Sequence, residues 1–193
     1  MKRLCVFCGS RTGSDGLFSS AARELGVELA QRKIEMVYGG GNVGLMGVIA
    51  DAVLDAGGRV TGVIPEALAA KELAHGRIQD LRVVSSMHDR KALMAELADG
   101  FVAMPGGLGT LEEFFEVLTW GQLGFHGKPV ALFNAGGYFD GLLSFIDHAV
   151  AHQFIRSEHG RMVIAESTVE RLLERMMAYR PSAVSKWLER ESL

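Results

Sequence analysis

Seven short apolar runs alternate with helix-patterned stretches along this chain, and that alternation leaves few folds open. The runs fall at residues 4–8, 34–38, 59–64, 81–84, 100–104, 128–133 and 162–165. Runs of about five residues with little polar interruption mark strands covered on both faces. Between them, apolar residues recur at helical spacing over 16–32, 44–56, 87–99, 111–123, 138–152 and 169–177; Phe18, Ala21, Ala22, Leu25 and Leu29 show the pattern best. Residues 66–80 are polar and irregular and read as a loop with one helical turn. The alternation predicts an α/β protein: a single Rossmann-like domain over 1–180, its sheet mostly parallel with helices on both faces. A polar helical tail is expected over 181–193, after Pro181. No repeat of fixed period interrupts the pattern.

Glycine is the one unusual component, with 24 residues, several clustered directly after apolar runs. Three clusters follow the first, second and fifth runs: Cys8-Gly9-Ser10, Gly39-Gly40-Gly41-Asn42-Val43-Gly44 and Pro105-Gly106-Gly107-Leu108-Gly109-Thr110. In a parallel sheet these positions lie beyond the carboxyl ends of strands, where such folds bind ligands. The third cluster runs from a strand into a helix, an arrangement that aims unpaired N–H groups and a partial positive charge at an anion. A phosphate is the natural guest. Glu113 follows one turn into the same helix.

Each motif also has a plainer reading. Thr110-x-x-Glu113 matches a capping box, which would make Glu113 a helix cap. Gly39-x-Gly41-x-x-Gly44 matches a dinucleotide fingerprint, but it follows the second strand, and no acidic residue stands about 20 positions on to bind a ribose. It reads as a turn, a phosphate or ribose contact, or an NAD site. Arg90 and Lys91 open a helix, where the dipole disfavours cations. They read either as a solvated first turn or an ion pair with Asp89 or Glu96, or as a cation that contacts a substrate phosphate or holds a catalytic carboxylate. His148 and His152 are one turn apart without an accompanying carboxylate motif, so no metal is expected. Cys5 and Cys8 share a strand and face opposite ways, which reads as two buried thiols rather than a redox pair.

The net charge of -3 gives no basic footprint for nucleic acid. The N-terminal apolar run of five residues falls short of the roughly 7–15 of a secretory signal. No stretch is long enough to cross a bilayer. A cytoplasmic protein with no membrane partner is expected.

Pro105-Gly106-Gly107-x-Gly109-Thr110-x-x-Glu113 resembles the PGGxGTxxE signature of the LOG ("lonely guy") family, the cytokinin riboside 5'-monophosphate phosphoribohydrolases. Met87-His88-Asp89-Arg90-Lys91 resembles the family's M-H-x-R-K element, and the loops at Gly9 and Gly39 resemble its other two. The similarity spans about residues 4–165. Arg11 departs from it, standing where many relatives carry a small residue. Members are sometimes labelled lysine decarboxylases, but nothing here suggests a pyridoxal phosphate site. The resemblance implies hydrolysis of the N-glycosidic bond of an adenosine 5'-monophosphate, N6-substituted or plain, releasing free base and ribose 5-phosphate. It implies Arg90 and Glu113 as the catalytic pair, with Glu72, Lys91, Gly107, Leu108, Gly109, Thr110 and Thr119 at substrate. Gly9, Ser10, Gly40, Gly41 and Gly106 join them from the glycine loops. A homodimer with no cofactor and no metal is implied as well.

The chemistry is coherent with those roles. Cleaving C1'–N builds positive charge on the ribose, which a fixed carboxylate stabilises. A phosphate held by loop amides orients the distant reacting carbon. Arg90 is expected to lower the pKa of Glu113. The alternatives are a nucleotide carrier of the same fold without turnover and, disfavoured by the missing ribose acid, an NAD-dependent oxidoreductase.

Overall fold

The computed structural model describes residues 1–69, 74–78 and 80–181. Strands β1 (Arg3–Phe7), β2 (Glu35–Tyr38), β3 (Val60–Pro65), β4 (Asp80–Val84), β5 (Gly100–Ala103), β6 (Val130–Phe133) and β7 (Val163–Glu166) form one sheet. Their order is β4-β3-β2-β1-β5-β6-β7. Every pairing is parallel. The expectation of a mostly parallel sheet therefore becomes a wholly parallel one among the described residues.

Among the described residues eight helices accompany the strands, the last of them following β7: α1 (Gly16–Gln31), α2 (Gly44–Asp55), α3 (Glu66–Ala69), α4 (Met87–Leu97), α5 (Leu108–Gln122), α6 (Asp140–Ala151), α7 (Ser157–Gly160) and α8 (Val169–Ala178). A tight turn over Ala135–Gly137 precedes α6. Successive strand residues point to opposite faces, so each strand feeds two cores. Leu4, Val6, Met36, Tyr38, Val102 and Phe133 pack with α1, α2 and α8. Cys5, Phe7, Val37, Phe101 and Leu132 pack on the other face, with Met94 of α4 and Phe114 and Val117 of α5. Cys5 and Cys8 take opposite faces, both buried and unbridged.

After β1 the chain builds outward through β2, β3 and β4, then returns to place β5 on the other side of β1. The crevice at that reversal, beyond the carboxyl ends of β1 and β5, is the ligand position of an open parallel sheet. Three local features differ from the sequence reading. Helix α5 begins at Leu108 rather than 111. The short α7 was not anticipated. Pro129 precedes β6 rather than opening it; its carbonyl accepts the N–H of Phe101 at 2.9 Å. Lys71, Glu72 and the expected helix beyond Pro181 lie outside the described residues.

Candidate active site

The three glycine loops meet at the reversal crevice, tied by backbone bonds. The N–H of Met104 donates to the Phe7 carbonyl at 2.8 Å, and that of Gly9 to the Pro105 carbonyl at 3.0 Å, so β1 and β5 stay paired past their ends. The N–H of Leu45 donates to the Gly9 carbonyl at 3.0 Å, bringing in the loop after β2. Gly44 has φ +59, and a Cβ there would lie 2.2 Å from the carbonyl carbon of Ser10. Only glycine fits both the conformation and the approach. A Cβ on Gly106 would lie 2.1 Å from Thr110 Oγ1 and 2.8 Å from the Gly9 nitrogen. Loop one, loop three and the first turn of α5 are thus packed into one unit.

The start of α5 overturns the capping-box reading. The N-cap is Gly107, with no side-chain cap. Thr110 sits inside the helix, buried. Glu113 lies too far along to cap, and its carboxylate turns across to α4. With no side chain serving as a cap, the first-turn N–H groups are left for a ligand. Helices α1 and α4, by contrast, are capped by Asp15 and Ser86.

The anions that Arg90 and Lys91 call for come from α5. Arg90 Nη1 lies 3.1 Å from Glu113 Oε1, both side chains 11% exposed. Arg90 Nε donates to the Val63 carbonyl at 3.3 Å. The guanidinium rests on Gly39, where an added Cβ would stand 2.0 Å from Nη2. Lys91 Nζ donates to Glu112 at 2.5 Å and to Glu116 at 3.0 Å. Asp89 instead accepts from the hydroxyls of Ser85 and Ser86.

Burial raises the pKa of Glu113 above the ordinary glutamate value, and the Arg90 cation only partly offsets it. This corrects the sequence expectation. A cation does lower a carboxylate's pKa, but removing the group from water acts the other way and here is larger. Burial also pushes the thiols of Cys5 and Cys8 well up.

Arg90 and Glu113 line a cleft of about 380 Å³ with Ser10, Gly41, Gly107, Leu108, Gly109 and Thr110. Its apolar wall includes Met46, Ile64, Leu68 and Met87, none of them singled out from sequence as site residues. A second hollow of about 370 Å³ adjoins it across Ser10 and Gly107 and contains Gly9, Arg11, Gly106 and Tyr138. Gly40 turns behind the wall, toward Leu81 and Ile64. Thr119 is exposed near the end of α5, away from the cleft of this chain. Glu72 lies outside the described residues. Tyr138 was missed, although a usable signal existed: Gly136-Gly137-Tyr138 follows the sixth strand on the same edge as the other loops. Two larger hollows, of about 650 and 760 Å³, lie elsewhere, one among Lys2, Arg3, Glu35 and Asp99, the other beside α2. The rings of His148 and His152 lie tilted at 40°, their centroids 4.1 Å apart. Among the described residues no group of three metal-ligating side chains is assembled.

Residues 46–176 match the family model described as "Possible lysine decarboxylase". A rice (Oryza sativa subsp. japonica) protein named probable cytokinin riboside 5'-monophosphate phosphoribohydrolase LOGL1 is 49% identical over 177 residues, 92% of this chain and 79% of that one. The Arabidopsis thaliana protein named cytokinin riboside 5'-monophosphate phosphoribohydrolase LOG4 is 49% identical over 179 residues, 93% of this chain and 83% of that one. Among solved structures, the molybdenum cofactor binding protein of Rippkaea orientalis superposes with a TM-score of 0.70 at 22% identity, covering 92% of this chain and 97% of that one. The molybdenum cofactor carrier protein of Chlamydomonas reinhardtii gives 0.68 at 20% identity, covering 92% and 98%. At that identity the structures speak for the fold, and the rice and Arabidopsis sequences for the family: the chain belongs to the LOG family of cytokinin riboside 5'-monophosphate phosphoribohydrolases.

Proposed function

We propose that this protein hydrolyses the N-glycosidic bond of an adenosine 5'-monophosphate, N6-substituted or plain, to free base and ribose 5-phosphate. The observation that carries the reading is the buried Arg90–Glu113 pair, held two turns of α5 or less from the uncapped Gly107 start. The phosphate sits on the Gly107–Thr110 amides beside Ser10. The ribose then lies over Glu113, and the base against the apolar wall of Met87, Leu68 and Ile64. As C1'–N breaks, its electron pair leaves with the base. The carboxylate of Glu113 stabilises the charge on the ribose and orients the attacking water. The water oxygen ends on C1' and one of its protons on the base. Arg90 holds Glu113 in place. Gly9, Gly40, Gly41 and Gly106 shape the loops, and Glu72 and Lys91 complete the substrate contacts by family resemblance; Thr119, away from this chain's own cleft, would reach substrate only from the second copy of a dimer. In the free protein Lys91 is engaged by Glu112 and Glu116.

Incubation with AMP, isopentenyl-AMP, adenosine and ATP, followed by chromatography for free base, tests this. Release from a monophosphate but not from adenosine is expected. AMP binding without release from any of the four would overturn turnover and leave a nucleotide carrier.

A homodimer belongs to the same reading. The support for it is the family resemblance; Phe125, Phe145 and Phe154 are 72%, 62% and 89% exposed apolar side chains that a second copy could cover. Light scattering is expected to give twice the chain mass; a monomer at assay concentration would refute it. A cytoplasmic location is part of the same reading; no described helix is long and apolar enough to cross a membrane. Fractionation of the native host would check it.

A further inference from the structure

The carbonyl of Gly106 is held from outside the phosphate loop. Tyr138 Oη donates to it at 2.6 Å. The Gly106–Gly107 peptide is trans, as are all others described, so its N–H points opposite to its carbonyl. With the carbonyl turned to Tyr138, the Gly107 N–H turns away from it. Gly107 forms the shared wall between the Tyr138 hollow and the Arg90–Glu113 cleft. A peptide between two glycines is the least hindered kind to flip, since neither neighbour has a Cβ. A flip would present a carbonyl oxygen where an anion is meant to bind.

The chain fixes Tyr138 with care. Its ring meets Phe18 edge-on at 5.6 Å and 78°, and Phe139 at 4.9 Å and 84°. The turn that carries it is closed by Asn134, whose Oδ1 accepts from the Phe139 N–H at 2.7 Å and whose Nδ2 donates to Asp140 at 2.7 Å. Yet Tyr138 itself is 45% exposed, so core packing does not account for an aromatic hydroxyl there.

We propose that Tyr138 is a positioning residue for phosphate recognition: its hydroxyl locks the Gly106–Gly107 peptide with the Gly107 N–H toward the substrate phosphate. The proposal rests on the phosphoribohydrolase reading for the identity of the anion. It explains how a loop with so little side-chain constraint keeps one orientation before substrate arrives, which lowers the ordering cost of binding.

The test is Tyr138→Phe in the full chain, which keeps the ring and removes the donor. Ribose 5-phosphate is the calorimetric probe, because its binding needs no turnover. Its Kd, and the KM for AMP, are expected to rise roughly three- to tenfold, the range of one net hydrogen bond. The kcat, the affinity for adenosine and the melting temperature are expected to hold. Unchanged ribose 5-phosphate affinity would overturn the proposal. So would equal losses for ribose 5-phosphate and adenosine with a lowered melting temperature, which mark a packing role. If the wild type releases no base while Tyr138→Phe still weakens ribose 5-phosphate binding, the hydrolase reading falls and the positioning role stands.

Discussion

Arg90 and Glu113 belong to different helices and meet at 3.1 Å, each with 11% of its side chain exposed. Their pairing joins the helix that follows β4 to the helix that follows β5, and both side chains line the cleft at the strand reversal. A neutral near-isostere separates the charge of Glu113 from its shape. Glu113→Gln is expected to cut kcat on the order of a hundredfold or more, with AMP affinity kept within a few-fold. Equal loss of binding and turnover would place Glu113 in recognition rather than in catalysis.

The same carboxyl sets a pH dependence. Burial raises its pKa above 4.5, with Arg90 opposing. On the proposed mechanism ionised Glu113 is the working form, so activity is expected to fall on the acid side at a pH above the ordinary glutamate value. Arg90→Ala removes the opposing cation and is expected to move that limb further up. Stability runs the other way: a carboxyl with a raised folded pKa contributes fully below its unfolded value, and the contribution is lost as pH rises through the folded one. The melting temperature of the wild type relative to Glu113→Gln should therefore fall as pH rises from the ordinary glutamate value through the raised folded one. A flat difference would refute the raised pKa.

Gly39→Ala tests how the guanidinium is seated. The new Cβ would sit 2.0 Å from Arg90 Nη2. The side chain is expected to swing off Glu113, lowering kcat by roughly tenfold or more and leaving ribose 5-phosphate affinity near wild type. Full activity in this variant would show that Arg90 can work from another position.

Gly107→Ala probes the cradle without disturbing the fold. Nothing lies within 4 Å of the added Cβ, and φ at Gly107 is -95, ordinary for any residue. Unchanged melting temperature is expected, with a raised KM for AMP because the methyl group crowds the phosphate. An unchanged KM would remove the phosphate from this loop.

The two thiols should be inert. Cys5 and Cys8 are buried, and burial holds both pKa values well above that of a free thiol. Iodoacetamide at about pH 8 should modify neither in the native protein and both after unfolding. Cys8 lines the cleft but is only 7% exposed, so rapid native labelling would contradict the burial of the two thiols.

The inner strands were legible because each of their apolar runs, read alone, already satisfies a strand covered on both faces, whereas the edge strands β4 and β7 are only half-buried; the glycine loops were legible because their clusters fall directly after apolar runs. Glu113 was ambiguous for a local reason: Thr110-x-x-Glu113 has the spacing of a cap, and spacing does not say where the helix starts. The structure starts α5 at Leu108, so the cap disappears. Arg90 and Lys91 signalled an unmet need for an anion; spacing offered Asp89 and Glu96 nearby, while the pairing with Glu113 came only through the family resemblance.

What the chain's own pattern determined is a parallel α/β sheet with its glycine loops on one edge, since strand, loop and helix signals are all short-range. Which distant groups meet across that edge was decided only by tertiary structure. The reversal between β1 and β5 brings Gly9 against Pro105, and α5 beside α4 delivers Glu113 to Arg90. The balance of burial over charge at Glu113, and the reach of Tyr138 to Gly106, depend on the water excluded and the chain brought close when those elements pack. Neither quantity is carried by any stretch of sequence taken alone.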